Sequence, residues 1–253
     1  MIVKPSRTNG VKSRRSTRAR SASGAILDGA LLQRAAHLLK NHATAMRNAS
    51  HLLLLPDAPA DQSMRDRWRS ALRDSGTGML RLLGQLECLG DSLRASPRTV
   101  ASVPLADWIR DQVREARVTE PAASVTLTTG RLPAGTWRFA TAPAALALGC
   151  LLRNALTHPP AGARASVAGR MVPGGLLLVV ADNGAGVPAN ESPLLFTPFF
   201  RGEASLDRPG AGLGLVIARA AAARAGGHLS HHSVSPRGAR FELFVRGTRL
   251  PPS

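Results

Sequence analysis

The chain has 253 residues, 44% of them hydrophobic and 19% charged, enough for two small domains that each bury a core. With 33 Lys and Arg against 16 Asp and Glu the net charge is +17, yet aromatic residues make up only 4% and are not interleaved with the basic ones, which disfavours a dedicated nucleic-acid-binding role. No apolar run approaches the roughly 18 residues that span a bilayer, and the two cysteines, Cys88 and Cys150, lie in apolar helical contexts that argue for a reducing compartment and against a disulfide framework.

In chain order, Met1 to Gly24 holds seven basic residues, no acidic one and no apolar segment of the signal-peptide kind. That composition predicts a disordered basic tail, residues 1–24, that is either simply solvated or open to an acidic partner, nucleic acid or an anionic membrane surface. From Ala25 to Leu55 there is no Pro and a single Gly, and apolar residues recur at Leu32, Ala35, Leu39, Met46, Ala49 and Leu53 with the spacings of a long amphipathic helix. After the breaker PDAPAD a second such helix carries Leu72, Met79, Leu80, Leu82, Leu83, Leu86, Leu89 and Leu93 on its apolar side. Residues 25–95 thus read as an antiparallel helical hairpin that cannot bury both stripes alone, and the expected remedy is a homodimer forming a four-helix bundle. SPRTVASVP, residues 96–104, reads as a linker, and residues 105–247 as a second domain.

Within that second domain the expected elements are a helix from Leu105 to Ala116, strands at Ser124 to Thr129 and Thr136 to Ala140, and an apolar helix from Ala144 to Leu156. Ala163 to Met171 and LLLVVA (Leu176 to Ala181) should form a hairpin through Pro173, Gly174 and Gly175. A helix from Leu215 to Ala225 and the strands HLSHHS and ARFELFV close the chain.

The chemistry is concentrated in four motifs in order: LLRNALTH, DNGAGVP, LFTPFFRG and GAGLGL. Asn154 offers a neutral oxygen suited to Mg²⁺ that keeps most of its water and its phosphates. Asp182, with Asn183 beside it, follows a continuous apolar run that reads as a buried central strand, so its carboxylate stands where strand gives way to loop and can accept from an exocyclic amine such as that of adenine. Gly184 and Gly186 let backbone approach a flat base. Gly210, Gly212 and Gly214 feed the helix that opens at Leu215, an arrangement suited to polyphosphate. Between them Phe196, Phe199 and Phe200 anchor a segment, Arg201 to Gly210, able to fold over a nucleotide.

Taken together these motifs resemble the catalytic domain of two-component sensor histidine kinases, a branch of the ATPase superfamily that includes gyrase and mismatch-repair ATPases. The resemblance implies an α+β chain: the helical hairpin, then an α/β sandwich with helices on one face of a mixed sheet and Mg²⁺ and ATP held between helices and lid. It also implies that one hairpin histidine is phosphorylated. His37 opens HLLKNHATAMRN, which resembles the phosphoacceptor box, with Leu39, Lys40, Asn41, Met46 and Arg47 matching; His37 lies off the apolar seam, whereas His42 falls near it. His42 and His51 are read as structural. By the same resemblance Asn41 orients water for a phosphatase-type reaction or is a solvated helix residue, His158 touches ribose or phosphate or is a plain helix-end histidine, and Arg201 reaches the transferring group.

Four positions depart from the family pattern. Leu38 stands in place of the acidic residue that takes the imidazole proton, His42 in place of a proline, Thr157 in place of a basic residue near the phosphates, and Cys150 in place of a polar one. The resulting expectation is a cytoplasmic, homodimeric histidine kinase, weakened at Leu38, that autophosphorylates on His37 from Mg²⁺-ATP and passes the phosphoryl group to the receiver domain of a response regulator; the sequence assigns no input, a separate sensor protein being one candidate. Its rival is a phosphotransferase, phosphatase or regulator-binding scaffold that retains the pocket.

Overall fold

A computed structural model of the chain describes residues 29–54, 61–94, 99–119, 126–156, 164–205, 210–234 and 237–251. The basic tail, Thr157, His158 and residues 206–209 of the expected lid lie outside the described residues. The chain divides into two compact units, one ending at Leu72 and the other beginning at Arg73.

The first unit holds α1, Gly29–Leu54, which buries Leu31, Ala35 and Ala49. It also holds the start of α2, Gln62–Leu93. Asp61 starts α2 by accepting the Met64 N–H at 2.8 Å, satisfying one of the amide donors that a helix N-terminus leaves open. The buried strip is narrower than the periodic stripe. Leu32, Leu80 and Leu83, expected on the apolar faces, are 62%, 72% and 41% exposed, and Leu31, one position before Leu32, is buried instead. No helix among the described residues is long and apolar enough to cross a membrane.

From Arg73 onward the chain completes α2 and then forms β1 (Ala101–Pro104), α3 (Leu105–Thr119), β2 (Thr126–Thr129), β3 (Thr136–Phe139), α4 (Thr141–Leu156), β4 (Arg164–Val172), β5 (Gly175–Asp182), α5 (Gly214–Arg224), β6 (His228–Ser233) and β7 (Ala239–Arg249). The strand order is β1-β3-β7-β5-β4-β2, with β6 also paired to β7. Only the β2–β4 pairing is parallel among the described pairs, so the sheet is mixed. Residues 96–104, expected as a linker, are in part a strand: Ala101 to Pro104 pair antiparallel with Phe139 to Thr136. β1 lies at the sheet edge, the one place where a proline's missing N–H costs no ladder bond.

LLLVVA is the central strand because it is apolar on both faces. β5 pairs with β4 along one edge and β7 along the other, and Leu176, Leu177, Leu178 and Val180 are buried. β3 instead alternates, burying Trp137 and Phe139, and Phe139 meets Trp108 of α3 edge-on with ring centroids 5.1 Å apart. α4 and α5 pack on each other, α4 also meets β5, and α5 meets β6, so the helical layer lies against the middle of the sheet. Leu178 and Leu243 face each other across β5 and β7 and are both fully buried. Leu178→Ala should therefore lower the unfolding free energy in urea titrations by about 2–5 kcal/mol, whereas Met171→Ser, at a position 56% exposed, should change it by about 0.5 kcal/mol or less.

Candidate functional site

Where β5 ends, Asp182 turns the chain. Its Oδ1 accepts the Gly184 N–H at 2.9 Å and the Ala239 N–H at 3.3 Å, so one carboxylate oxygen fixes both the turn after β5 and the start of β7. The backbone there is crowded. Gly186 (φ +79°) faces Gly238 (φ +116°), and a Cβ on Gly186 would come within 3.0 Å of the Gly238 carbonyl oxygen. Both the positive φ and the contact require glycine. Asn183 ties the same turn to β4: its Oδ1 accepts the Arg164 N–H at 2.6 Å.

The segment between β5 and α5 is held down at several points. Short 3₁₀ turns occupy Ser192–Leu194 and Glu203–Ser205. Glu191 Oε1 accepts the Glu203 N–H at 3.0 Å, joining the two turns. Arg219 of α5 donates to the Phe196 carbonyl at 3.0 Å and places its guanidinium 5.1 Å from the Phe196 ring centroid, and burial pulls its pKa down from the usual arginine value. Phe199 sits at φ +62°, uncommon for a side-chain-bearing residue. It is locked there because its N–H donates to Gly212 O at 3.1 Å while Gly212, at φ +70°, presses so close that a Cβ would lie 2.6 Å from Phe200 O.

These elements enclose a cavity of about 730 Å³, within the range of small-molecule sites. Asn154, Asp182, Asn183, Gly184 and Gly186 line it from α4 and the β5 turn, and Phe200, Arg201, Gly210, Gly212, Gly214 and Leu215 from the lid segment and the start of α5. Phe196 is not among the lining residues; Arg219 holds it against α5 instead. His158 lies outside the described residues. His37 and Asn41 belong to the other unit, where both are exposed on α1, while His42 is half-buried.

The walls carry four arginines, Arg81, Arg153, Arg164 and Arg201, against Asp182 and Glu191. With the unfilled amides at the α5 N-terminus, that balance suits a polyanion with a polar, flat head group. Both described hydrogen bonds of Asp182 fall on Oδ1, leaving Oδ2 as the acceptor for such a head group. Asn154 is exposed at the rim, where its amide oxygen suits a hydrated Mg²⁺ carried by phosphates. Among the described residues no cluster of His, Cys, Asp or Glu could hold a metal by itself. Cys150 also lines the wall; burial pushes its thiol pKa up, partly offset by Arg153, which donates to Cys150 Sγ at 3.3 Å.

Arg81, Glu191, Arg219 and Gly238 carry no motif in sequence, and the His231 and His232 pair has no companions there. His231 of β6 has Nδ1 3.1 Å from Ser192 Oγ, and its ring lies 5.1 Å from that of Phe241, which lines the cavity. Burial, then His232, lowers the His231 pKa, and Asp182 pulls the other way. A histidine with a depressed folded-state pKa binds fewer protons folded than unfolded, so its stabilising contribution is complete above about pH 6.5 and is lost as pH falls toward the folded value. Thermal unfolding between pH 7.5 and 5 should show this acid slope, and His231→Val should flatten it.

Residues 142–249 match the family of histidine kinase-, DNA gyrase B-, and HSP90-like ATPases. The signal transduction histidine-protein kinase/phosphatase MprB of Mycolicibacterium paratuberculosis is 35% identical over 108 residues, 41% of this chain and 21% of that protein. The alginate biosynthesis sensor protein KinB of Pseudomonas aeruginosa is 33% identical over 95 residues, 38% of this chain and 16% of that protein. The match thus spans a fifth or less of the length of KinB and 21% of MprB. Among solved structures, the Acinetobacter baumannii histidine kinase AdeS shares the fold with a TM-score of 0.64 over 83% of this chain and 97% of its own, at 14% identity. The chain thus sets a helical N-terminal region before a mixed-sheet domain, and residues 142–249 of that domain are similar in sequence to histidine kinase-, DNA gyrase B-, and HSP90-like ATPases.

Proposed function

We propose that the chain binds Mg²⁺-ATP in the cavity at the end of β5 and transfers the γ-phosphoryl group to His37, then to an aspartate on the receiver domain of a response regulator. The observation that carries this reading is the convergence of Asn154, the Asp182 turn and the second glycine turn on one cavity of nucleotide size. Asp182 Oδ2 takes the adenine amine, Gly184 and Gly186 leave room for the base, and the α5 amides with Arg201 face the phosphates. Asn154 would hold Mg²⁺ together with the phosphates, and the ion would offset charge that develops on the transferring group. A nitrogen of the His37 imidazole attacks the γ-phosphorus in line; an N–P bond forms, the bond to the β-phosphate oxygen breaks, ADP leaves, and the imidazole proton passes to water. The exposed position of His37 on α1 leaves its ring open to a loaded pocket and later to the receiver aspartate. Asn41, one helical turn on and also exposed, is placed to orient water for the reverse, phosphatase-type reaction.

A homodimer through the helical hairpin would cover Leu32, Leu80 and Leu83. The need for ATP places the work on the cytoplasmic side, and a separate sensor protein would supply input. Leu38 favours a second reading, since at the position after His37 it supplies no carboxylate: a phosphotransferase or regulator-binding scaffold that keeps the pocket.

Incubation with γ-labelled ATP and Mg²⁺ should give acid-labile, base-stable label on the wild type, and both His37→Gln and Asn154→Ala should abolish it. Intact nucleotide binding without label would establish the second reading in place of the first. Asp182→Asn, which weakens a charge-assisted hydrogen bond, should raise the Kd for the ATP analogue AMPPNP about 10- to 100-fold by calorimetry.

A further inference from the structure

We infer that His231 and Ser192 form a positioning pair that sets the wall of the nucleotide cavity, so that nucleotide affinity depends on a contact made behind the wall. This rests on the proposed nucleotide site. Ser192 opens the 3₁₀ turn Ser192–Leu194, and the residues on either side of it, Glu191 and Leu195, both line the cavity. From below, His231 brings Nδ1 to 3.1 Å from Ser192 Oγ. Its ring lies 5.1 Å from Phe241, whose own ring is buried and reaches the cavity. Phe241 pairs with His231 on one side and with Val180 of β5 on the other, so the imidazole is seated two strands from Asp182's strand end and fixed by the sheet.

The turn has little else at that point. It makes backbone bonds within itself and to Pro188, and Glu191 reaches outward to Glu203 of the lid. The Ser192–His231 contact is therefore the described side-chain bond that joins this stretch to the sheet. A histidine is an unusual choice for the task, because Nε2 is buried and has no hydrogen-bond partner among the described residues. An unpaired buried polar atom costs stability that an apolar side chain of similar size would not. Retaining it fits a role in holding the turn in one place. If placement is what matters, an apolar pair that packs in the same space should serve as well.

The test measures affinity for two nucleotides, ADP and AMPPNP with Mg²⁺, by calorimetry on the full chain at a temperature well below unfolding, checked by circular dichroism. Ser192→Ala, which sits on a surface turn and leaves the core intact, and His231→Ala should each weaken both nucleotides by the same factor, about three- to tenfold. The double alanine variant should be no worse than either single one, as for residues acting as a unit. Ser192→Leu with His231→Val should recover affinity to within about twofold of wild type, a rescue that loss of bulk stability alone would not show. Unchanged affinity in the single variants, with Asp182→Asn still impaired, overturns the pair and leaves the nucleotide site standing. Additive losses, or no recovery in the apolar double, also overturn it. Failure of the wild type to bind either nucleotide overturns both.

Discussion

One carboxylate oxygen organises the catalytic-type unit. Asp182 Oδ1 takes the N–H of Gly184 in the loop leaving β5 and that of Ala239 at the head of β7. That single atom ties Asp182 to a residue 57 positions further on and fixes the floor on which the cavity is built. It works because LLLVVA has already placed the end of β5 between two neighbours, where the strand has no freedom to shift register. It also works because Gly186 and Gly238 permit a backbone approach that any Cβ would block. The strand supplies rigidity, the glycines supply proximity, and the carboxylate places both of its described hydrogen bonds on one oxygen.

The remainder of the wall is less uniformly braced. On the α5 side, the lock between Phe199 and Gly212 and the grip of Arg219 on Phe196 hold the lid's root. The cost of a non-glycine residue at positive φ is about 1–2 kcal/mol, and burial of the Phe199 ring, 8% exposed, returns a comparable amount. Glu191 extends this bracing, since it reaches from the turn at Ser192 to the turn at Glu203.

Much of this was legible in sequence. The long helices, the central strand and the two glycine turns depend on periodicity, apolar runs and positive φ, which are local properties, and the strand pairings of β4 with β5 follow from a turn at Gly174 with φ +82°. What was illegible depends on tertiary contact. Ser192 and His231 are 39 residues apart, Arg219 and Phe196 are 23 apart, and neither pair carries a spacing that announces its partner. β1 was read as linker because Ser and Pro dominate it, and only its place at a sheet edge makes those residues acceptable in a strand. Phe196, expected with Phe199 and Phe200 to anchor the following segment, is held by the guanidinium of Arg219, a partner that the sequence does not announce. Leu32 is exposed in the single chain for a different reason, since helical periodicity marks a stripe and burial depends on how much of that stripe a neighbour covers.

The weight to give Leu38 follows from magnitudes. A general base contributes about 10²- to 10⁴-fold to a proton transfer, whereas phosphoryl transfer depends chiefly on in-line positioning and on charges aimed at the transferring group. On the proposed reading those larger contributions come from residues other than Leu38: the Asp182 turn, the Asn154 amide, Arg201 and the α5 N-terminus, all of which line the cavity. On that reading a leucine beside His37 would slow a reaction whose main supports remain, and would not by itself make the domain a scaffold. The imidazole proton would then leave to water, which an exposed ring on α1 permits. The decisive quantity would be how long a loaded pocket holds its nucleotide while an unassisted histidine approaches, and on the inference drawn from Ser192 and His231 that residence would depend on the bracing of the cavity wall.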